Sequence, residues 1–318
     1  MKGLWLENQR LSYRDDLPIP VVRHGEALIK IRYAGICATD LEMVRGYYPF
    51  TGIPGHEFVG DVVSCEDRPD LLGKRIVGEI NITCGNCDRC KRGERTHCRN
   101  RKVLGINQWN GVFAEYCVLP QSNLYEVPHS ISDETAIFTE PLAAALEIQQ
   151  QVHIKPNDHV LLIGAGRLGQ LIAYTLALTS CKLQVVTRHA NQKAMLLKKS
   201  IPVIDELKIQ MSAMDIVIEA TGSPHGFDIA RRAVRPGGII VLKSTYKGDL
   251  TLNMSSIVVD EIKIVGSRCG PFDPAIRYLN TGIIDPASMI DSIYELENGV
   301  AAFEHAAAPG ILKVLIKP

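Results

Sequence analysis

The stretch Gly164-Ala-Gly-Arg-Leu-Gly169 constrains this chain more than any other, because it stands between an apolar strand pattern, His159-Val-Leu-Leu-Ile163, and a helical pattern from Leu168 to Thr179. In that context G-x-G-x-x-G is the turn of a dinucleotide-binding fold. Gly164 permits the tight turn, Gly166 lets a pyrophosphate approach the backbone, and Gly169 lets the helix pack on the strand, with Arg167 and Leu168 opening the helix. The residues that follow keep alternating. Leu183-Gln-Val-Val-Thr187, Asp215-Ile-Val-Ile-Glu-Ala220 and Gly238-Ile-Ile-Val-Leu-Lys243 read as further buried strands, so residues 148–268 are expected to form a doubly wound parallel sheet of Rossmann type, an α/β fold.

The end of the second strand selects the coenzyme, since an acid there hydrogen-bonds the ribose 2′-hydroxyl and repels a 2′-phosphate. No Asp or Glu occurs between Asp158 and Asp205; Thr187 and Arg188 stand where the acid belongs, and Lys193 follows about a turn later. This predicts NADP(H) over NAD(H), with Thr187, Arg188 and Lys193 as the selecting residues.

Upstream the character changes. Residues 1 to about 130 read as short strands and loops, with Ala27-Leu-Ile-Lys-Ile-Arg-Tyr33 alternating and frequent Gly/Pro punctuation. Two clusters there carry metal chemistry. Cys84, Cys87, Cys90 and Cys98 form C-x2-C-x2-C-x7-C with glycines in the turns, a closed four-thiolate site with no place for water and hence structural zinc, with an iron–sulfur cluster as the rival. Gly35-Ile-Cys-Ala-Thr-Asp40 and Gly55-His-Glu57 set a thiol, an imidazole and carboxylates beside a hydroxyl. Cys37 and His56 suit a catalytic zinc, which needs a third protein ligand from elsewhere in the chain.

Composition adds exclusions. A zero formal charge, without long runs of one sign, gives no footing for nucleic acid or an anionic membrane, and no apolar run is long enough to span a bilayer. With 46% hydrophobic and 22% charged residues over 318 positions, the expectation is a soluble, cytoplasmic two-domain protein acting on a small molecule. Four of nine cysteines within fifteen residues point to metal rather than disulfides.

With Gly55-His-Glu57, the four-cysteine loop and the glycine fingerprint in that order, the chain resembles the zinc-dependent medium-chain dehydrogenase/reductase family, which includes alcohol, polyol and threonine dehydrogenases. The resemblance spans essentially the whole chain. It implies a β-rich, partly open barrel-like (GroES-like) catalytic domain of residues 1–147 and 269–318 around the Rossmann domain. It also implies that Cys37, His56 and Glu140 ligate the catalytic zinc, with Glu57 near the metal, Thr39 passing the substrate proton and Asp40 behind the histidine. A glutamate at 140, in Thr139-Glu-Pro-Leu142, is similar to the polyol dehydrogenase branch and points to a secondary alcohol or polyol, oxidised or formed by hydride transfer with NADP(H). The usual outer relay histidine is replaced by Glu42. A homodimer or homotetramer is implied. Two other readings remain open at this point, a zinc-independent quinone or alkene reductase of the same superfamily and a non-catalytic NADP(H)-binding protein.

Overall fold

The computed structural model describes residues 1–245 and 249–318. The chain divides into two compact units, Met1–Glu140 with Phe272–Pro318, and Pro141–Pro271.

The first unit is built on a seven-stranded sheet. Its order is Leu124–Glu126, Arg75–Gly78, Glu57–Ser64, Glu26–Gly35, Lys313–Lys317 and Ile290–Glu295, with Tyr116–Pro120 also pairing Glu26–Gly35. The long strand Glu26–Gly35 is the hub. Its alternating burial turns Ala27, Ile29 and Ile31 inward, and its last residue, Gly35, lies opposite both Glu57 and Leu315. The C-terminal strand thus reaches the region of Cys37 and His56 by pairing rather than by sequence proximity.

Gly35 is required at this junction. A Cβ there would stand 2.7 Å from Ile137 Cγ2 and 2.9 Å from the Glu57 carboxylate, closer than packed atoms allow.

The second unit holds six parallel strands in the order Val203–Ile204, Lys182–Val186, His159–Ile163, Met214–Glu219, Val234–Leu242 and Lys263–Gly266. In sequence terms this is 3-2-1-4-5-6, the doubly wound arrangement, with its reversal point beside the glycine turn. Val160, Leu161, Leu162, Val217 and Ile218 are fully buried, as strands covered on both faces require, and Leu161, Val217, Phe227, Ile240 and Ile257 share one core cluster. No helix among the described residues is long and apolar enough to cross a membrane.

Candidate active site

Cys37 is the N-cap of a short helix, Ala38–Val44, and the chain is bound there by Asp40, whose Oδ2 accepts the Cys37 backbone N–H at 2.9 Å. The same carboxylate faces His56: Oδ1 lies 3.3 Å from Nδ1, an ion-pair separation without hydrogen-bond alignment. Asp40 is fully buried and His56 nearly so. Burial acts to lower the His56 pKa, but the Asp40 carboxylate and the Cys37 sulfur outweigh it and hold the imidazole well above its ordinary value.

The donor atoms of Cys37, His56 and Glu57 all lie within 4.8 Å of one another. A soft thiolate, an imidazole whose second nitrogen faces a carboxylate, and a further carboxylate form a donor set that fits zinc. Thr39 Oγ1 stands 3.8 Å from Cys37 Sγ, at the edge of this group. Glu140, the third ligand implied by resemblance, is half-buried in the first turn of the helix Thr139–Gln151 and is not among the three clustered donors. Glu42 is one turn along the Cys37 helix and pairs with Arg45 at 2.6 Å.

Lys313 is the residue that sequence reasoning missed. Its ammonium forms a hydrogen-bonded ion pair with Glu57 Oε2, both side chains being almost fully buried, and it lies 5.4 Å above the Phe138 ring. The available signal was a lysine inside the apolar run Ile311-Leu-Lys-Val-Leu-Ile316, a placement that demands a partner. The partner lies 256 positions away. Glu57 is thereby a restrained carboxylate, fixed by Lys313 on one side and next to the Cys37–His56 donors on the other.

The four-cysteine lobe is compact. Cys87 Sγ is 3.5 Å from Cys90 Sγ and 3.9 Å from Cys98 Sγ, while Cys98 and Cys84 are 3.5 Å apart. Four sulfurs at ~2.3 Å from a tetrahedral ion would be separated by roughly 3.8 Å, so the lobe fits zinc without rearrangement. Backbone N–H groups of Arg99 and Cys90 pull the Cys87 thiol down to about 6, whereas burial pushes Cys90 up to about 11.

A cavity of about 590 Å3 in the same unit is lined by Tyr48, Thr51, Asn107, Gln108, Trp109 and Asn110 among others. Its loop is anchored directly to the residue before His56. A Cβ on Gly105 or Gly111 would lie 2.1 or 2.2 Å from the Gly55 carbonyl, and Val112 N–H donates to that carbonyl at 3.2 Å. Asn110 Oδ1 accepts the Ile53 N–H at 3.1 Å, and Trp109 Nε1 donates to the Val118 carbonyl at 2.8 Å, so two lining side chains are held in place.

In the second unit the glycine turn has the geometry its spacing predicts. Gly164 sits at φ +96°, and a Cβ on Gly169 would meet the Gly164 carbonyl at 2.2 Å. Gly166, by contrast, has nothing within 4 Å of its Cβ position, and it begins the helix Arg167–Ala177 with no side chain capping the first-turn amides. Those open amides are a ready anion site. Arg188 and Lys193 are exposed beyond the second strand, while the Thr187 hydroxyl is spent on Gln192 Oε1 at 2.8 Å.

Comparison with known proteins agrees with both units. The alcohol dehydrogenase GroES-like domain family matches residues 23–129, and the shikimate/quinate 5-dehydrogenase family matches residues 147–235. The chain is 29% identical to D-arabinitol dehydrogenase 1 of Uromyces fabae, covering 100% of this chain and 97% of that one. It is 32% identical to L-threonine 3-dehydrogenase of Shewanella baltica over 83% of this chain and 81% of the relative. Among solved structures, a protein of Sinorhizobium meliloti assigned to the zinc-binding dehydrogenases, with NADP bound, superposes with a TM-score of 0.90 at 28% identity, covering 100% and 99% of the two chains. An alcohol dehydrogenase of Thermus gives 0.89 at 26% identity with the same coverage. The chain belongs to the zinc-dependent medium-chain dehydrogenase/reductase family, whose members include alcohol, polyol and threonine dehydrogenases.

Proposed function

We propose that this protein is a zinc-dependent dehydrogenase that prefers NADP(H) and acts on a secondary alcohol or polyol and the corresponding carbonyl compound. The observation that carries the reading is the convergence of Cys37, His56 and Glu57 donors within 4.8 Å, with the Thr39 hydroxyl beside them. An intact donor set of this kind speaks against a zinc-independent quinone or alkene reductase and against a non-catalytic binding protein.

Cys37 and His56 would hold the metal, and the third position would fall to Glu140 by family resemblance or to Glu57 by proximity. Zinc bound there supplies Lewis-acid polarisation of an alcohol or carbonyl oxygen, and NADP(H) supplies the hydride acceptor or donor. The chain's own residues do the remainder. Asp40 sets its carboxylate charge 3.3 Å from His56 Nδ1, behind the ring. Thr39 takes the proton of the substrate hydroxyl and passes it outward. Lys313 holds Glu57 so that its charge stays close to the donors without rotating freely.

NADP(H) preference is supported by the absence of an acid after the second strand and by the exposed cations Arg188 and Lys193.

The test combines metal analysis with turnover. Wild-type protein, Cys37→Ala and His56→Ala are assayed by NADPH absorbance against alcohols, polyols and ketones, with zinc measured on each sample. Both variants should lose the catalytic zinc and turnover while still binding NADPH; full activity in metal-free protein refutes the mechanism. Arg188→Asp should shift kcat/KM towards NADH, and an unchanged preference refutes the coenzyme assignment. Zinc content of Glu140→Ala and Glu57→Ala decides between the two candidate third ligands.

A further inference from the structure

The helix that follows the glycine turn carries a polar residue where an apolar one is expected. Gln170 is fully buried, among Leu171, Ile172 and Ala173, yet every polar hydrogen it owns is used. Its Nε2 donates to the Ala165 carbonyl at 3.1 Å and to the Gln192 carbonyl at 3.1 Å, and its Oε1 accepts from the Tyr174 hydroxyl at 3.2 Å. Two carbonyl acceptors force the amide nitrogen to face them, so the orientation has no alternative. Gln192, also buried, then continues the chain of contacts, its Oε1 accepting from Thr187 Oγ1 at 2.8 Å.

The end points give this network its meaning. Ala165 lies inside Gly164–Gly169, the turn that takes a pyrophosphate, and Thr187 is the residue directly before Arg188. Gln192 sits in the first turn of the helix Ala190–Lys198, within one residue of Lys193. The main chain separates Ala165 from Thr187 by a complete helix and strand, but the buried amides join them in two steps.

We propose that Gln170 and Gln192 are positioning residues for coenzyme discrimination: they fix the spacing between the pyrophosphate turn and the 187–193 segment, so that Arg188 meets the ribose 2′ substituent of a coenzyme already docked on the turn. A cation contributes to affinity for a 2′-phosphate only if it is held at the right distance while the pyrophosphate is bound, because ordering a mobile segment on binding costs part of the gain. The parts common to both coenzymes rest on the Gly164–Gly169 backbone, which Gln170 also braces through Ala165 but the Gln192 side chain does not touch. The inference deepens the NADP(H) assignment and takes its expected sign from it.

The test uses the zinc-loaded full chain and coenzyme binding rather than turnover. Dissociation constants for NADPH and NADH are measured by fluorescence titration for wild type, Gln170→Met, which keeps side-chain length and removes all three hydrogen bonds, and Gln192→Ala, which cuts only the link to Thr187. Gln192→Ala should lower the NADPH-over-NADH preference by about tenfold while NADH binding changes by less than about threefold, a coupling of ordinary size, and Gln170→Met should lower the ratio at least as far. Equal weakening of both coenzymes, which a merely structural role produces, overturns the proposal, as does an unchanged ratio. Should Gln170→Met fail to fold, Gln192→Ala decides by the same criterion. If wild-type protein binds NADH more tightly, the NADP(H) assignment fails, and the relay stands only if the ratio still moves by about tenfold in the variants.

Discussion

Replacing Lys313 with methionine tests the buried pair at the heart of the first unit. The two side chains are 2% and 1% exposed, so removing the ammonium leaves the Glu57 carboxylate buried without its counter-charge. Breaking such a pair by deleting one partner costs about 3–5 kcal/mol. At roughly 2–4 °C per kcal/mol for a unit of this size, the loss corresponds to a fall in Tm of about 6–20 °C. Both tryptophans, Trp5 and Trp109, lie in the first unit, so intrinsic fluorescence follows its unfolding separately from that of the nucleotide-binding unit. The double variant Lys313→Met with Glu57→Met removes both charges and should recover most of the lost stability, since apolar replacement of a whole buried pair is often neutral. A single variant melting within about 2 °C of wild type, or a double variant as unstable as the single, refutes the account of Lys313 as the counter-charge of Glu57.

Three further outcomes are expected. Gly35→Ala forces a methyl against Ile137 and the Glu57 carboxylate, and should cost about 1–3 kcal/mol in a denaturant titration read by tryptophan fluorescence; a neutral result means the junction has slack. Cys87→Ser removes one corner of the four-sulfur lobe, so zinc measured by elemental analysis should fall from about two ions per chain to about one, and an undiminished content would place the second ion elsewhere. Glu219, 1% exposed with Oε2 unpartnered, has its carboxyl pKa raised by burial against the hydrogen bonds of Thr221. A raised folded-state pKa stabilises the fold below the ordinary carboxylate range and loses that contribution as pH rises, so Glu219→Gln should gain on wild type from roughly pH 5 upward and match it near pH 4; thermal melts showing no pH-dependent gap exclude this.

How much was legible follows from which interactions are local. The Gly164–Gly169 turn could be read because its tightest steric demand, between Gly169 and the Gly164 carbonyl, spans only five residues. The four-cysteine lobe was equally legible, since fifteen residues of chain keep the sulfurs near one another whatever the remainder does. Cys37, Asp40 and His56 were recognisable as a donor group, and the helix start at Cys37 agrees with Asp40 returning to its N–H.

The sequence alone therefore determined the doubly wound unit, the two metal-type clusters and the missing acid after the second strand, all of them patterns written in residue type and short spacing. Tertiary structure decided which charges meet. Lys313 reaches Glu57 only because the C-terminal strand pairs beside Gly35, and Glu57 lies with the donors of Cys37 and His56. Gln170 reads as an ordinary helix residue until its neighbours are known; its buried bonds then tie the pyrophosphate turn to Thr187. A buried polar group needs a partner, but the partner's identity is set by strand pairing and helix packing across long stretches of chain, which no local pattern encodes.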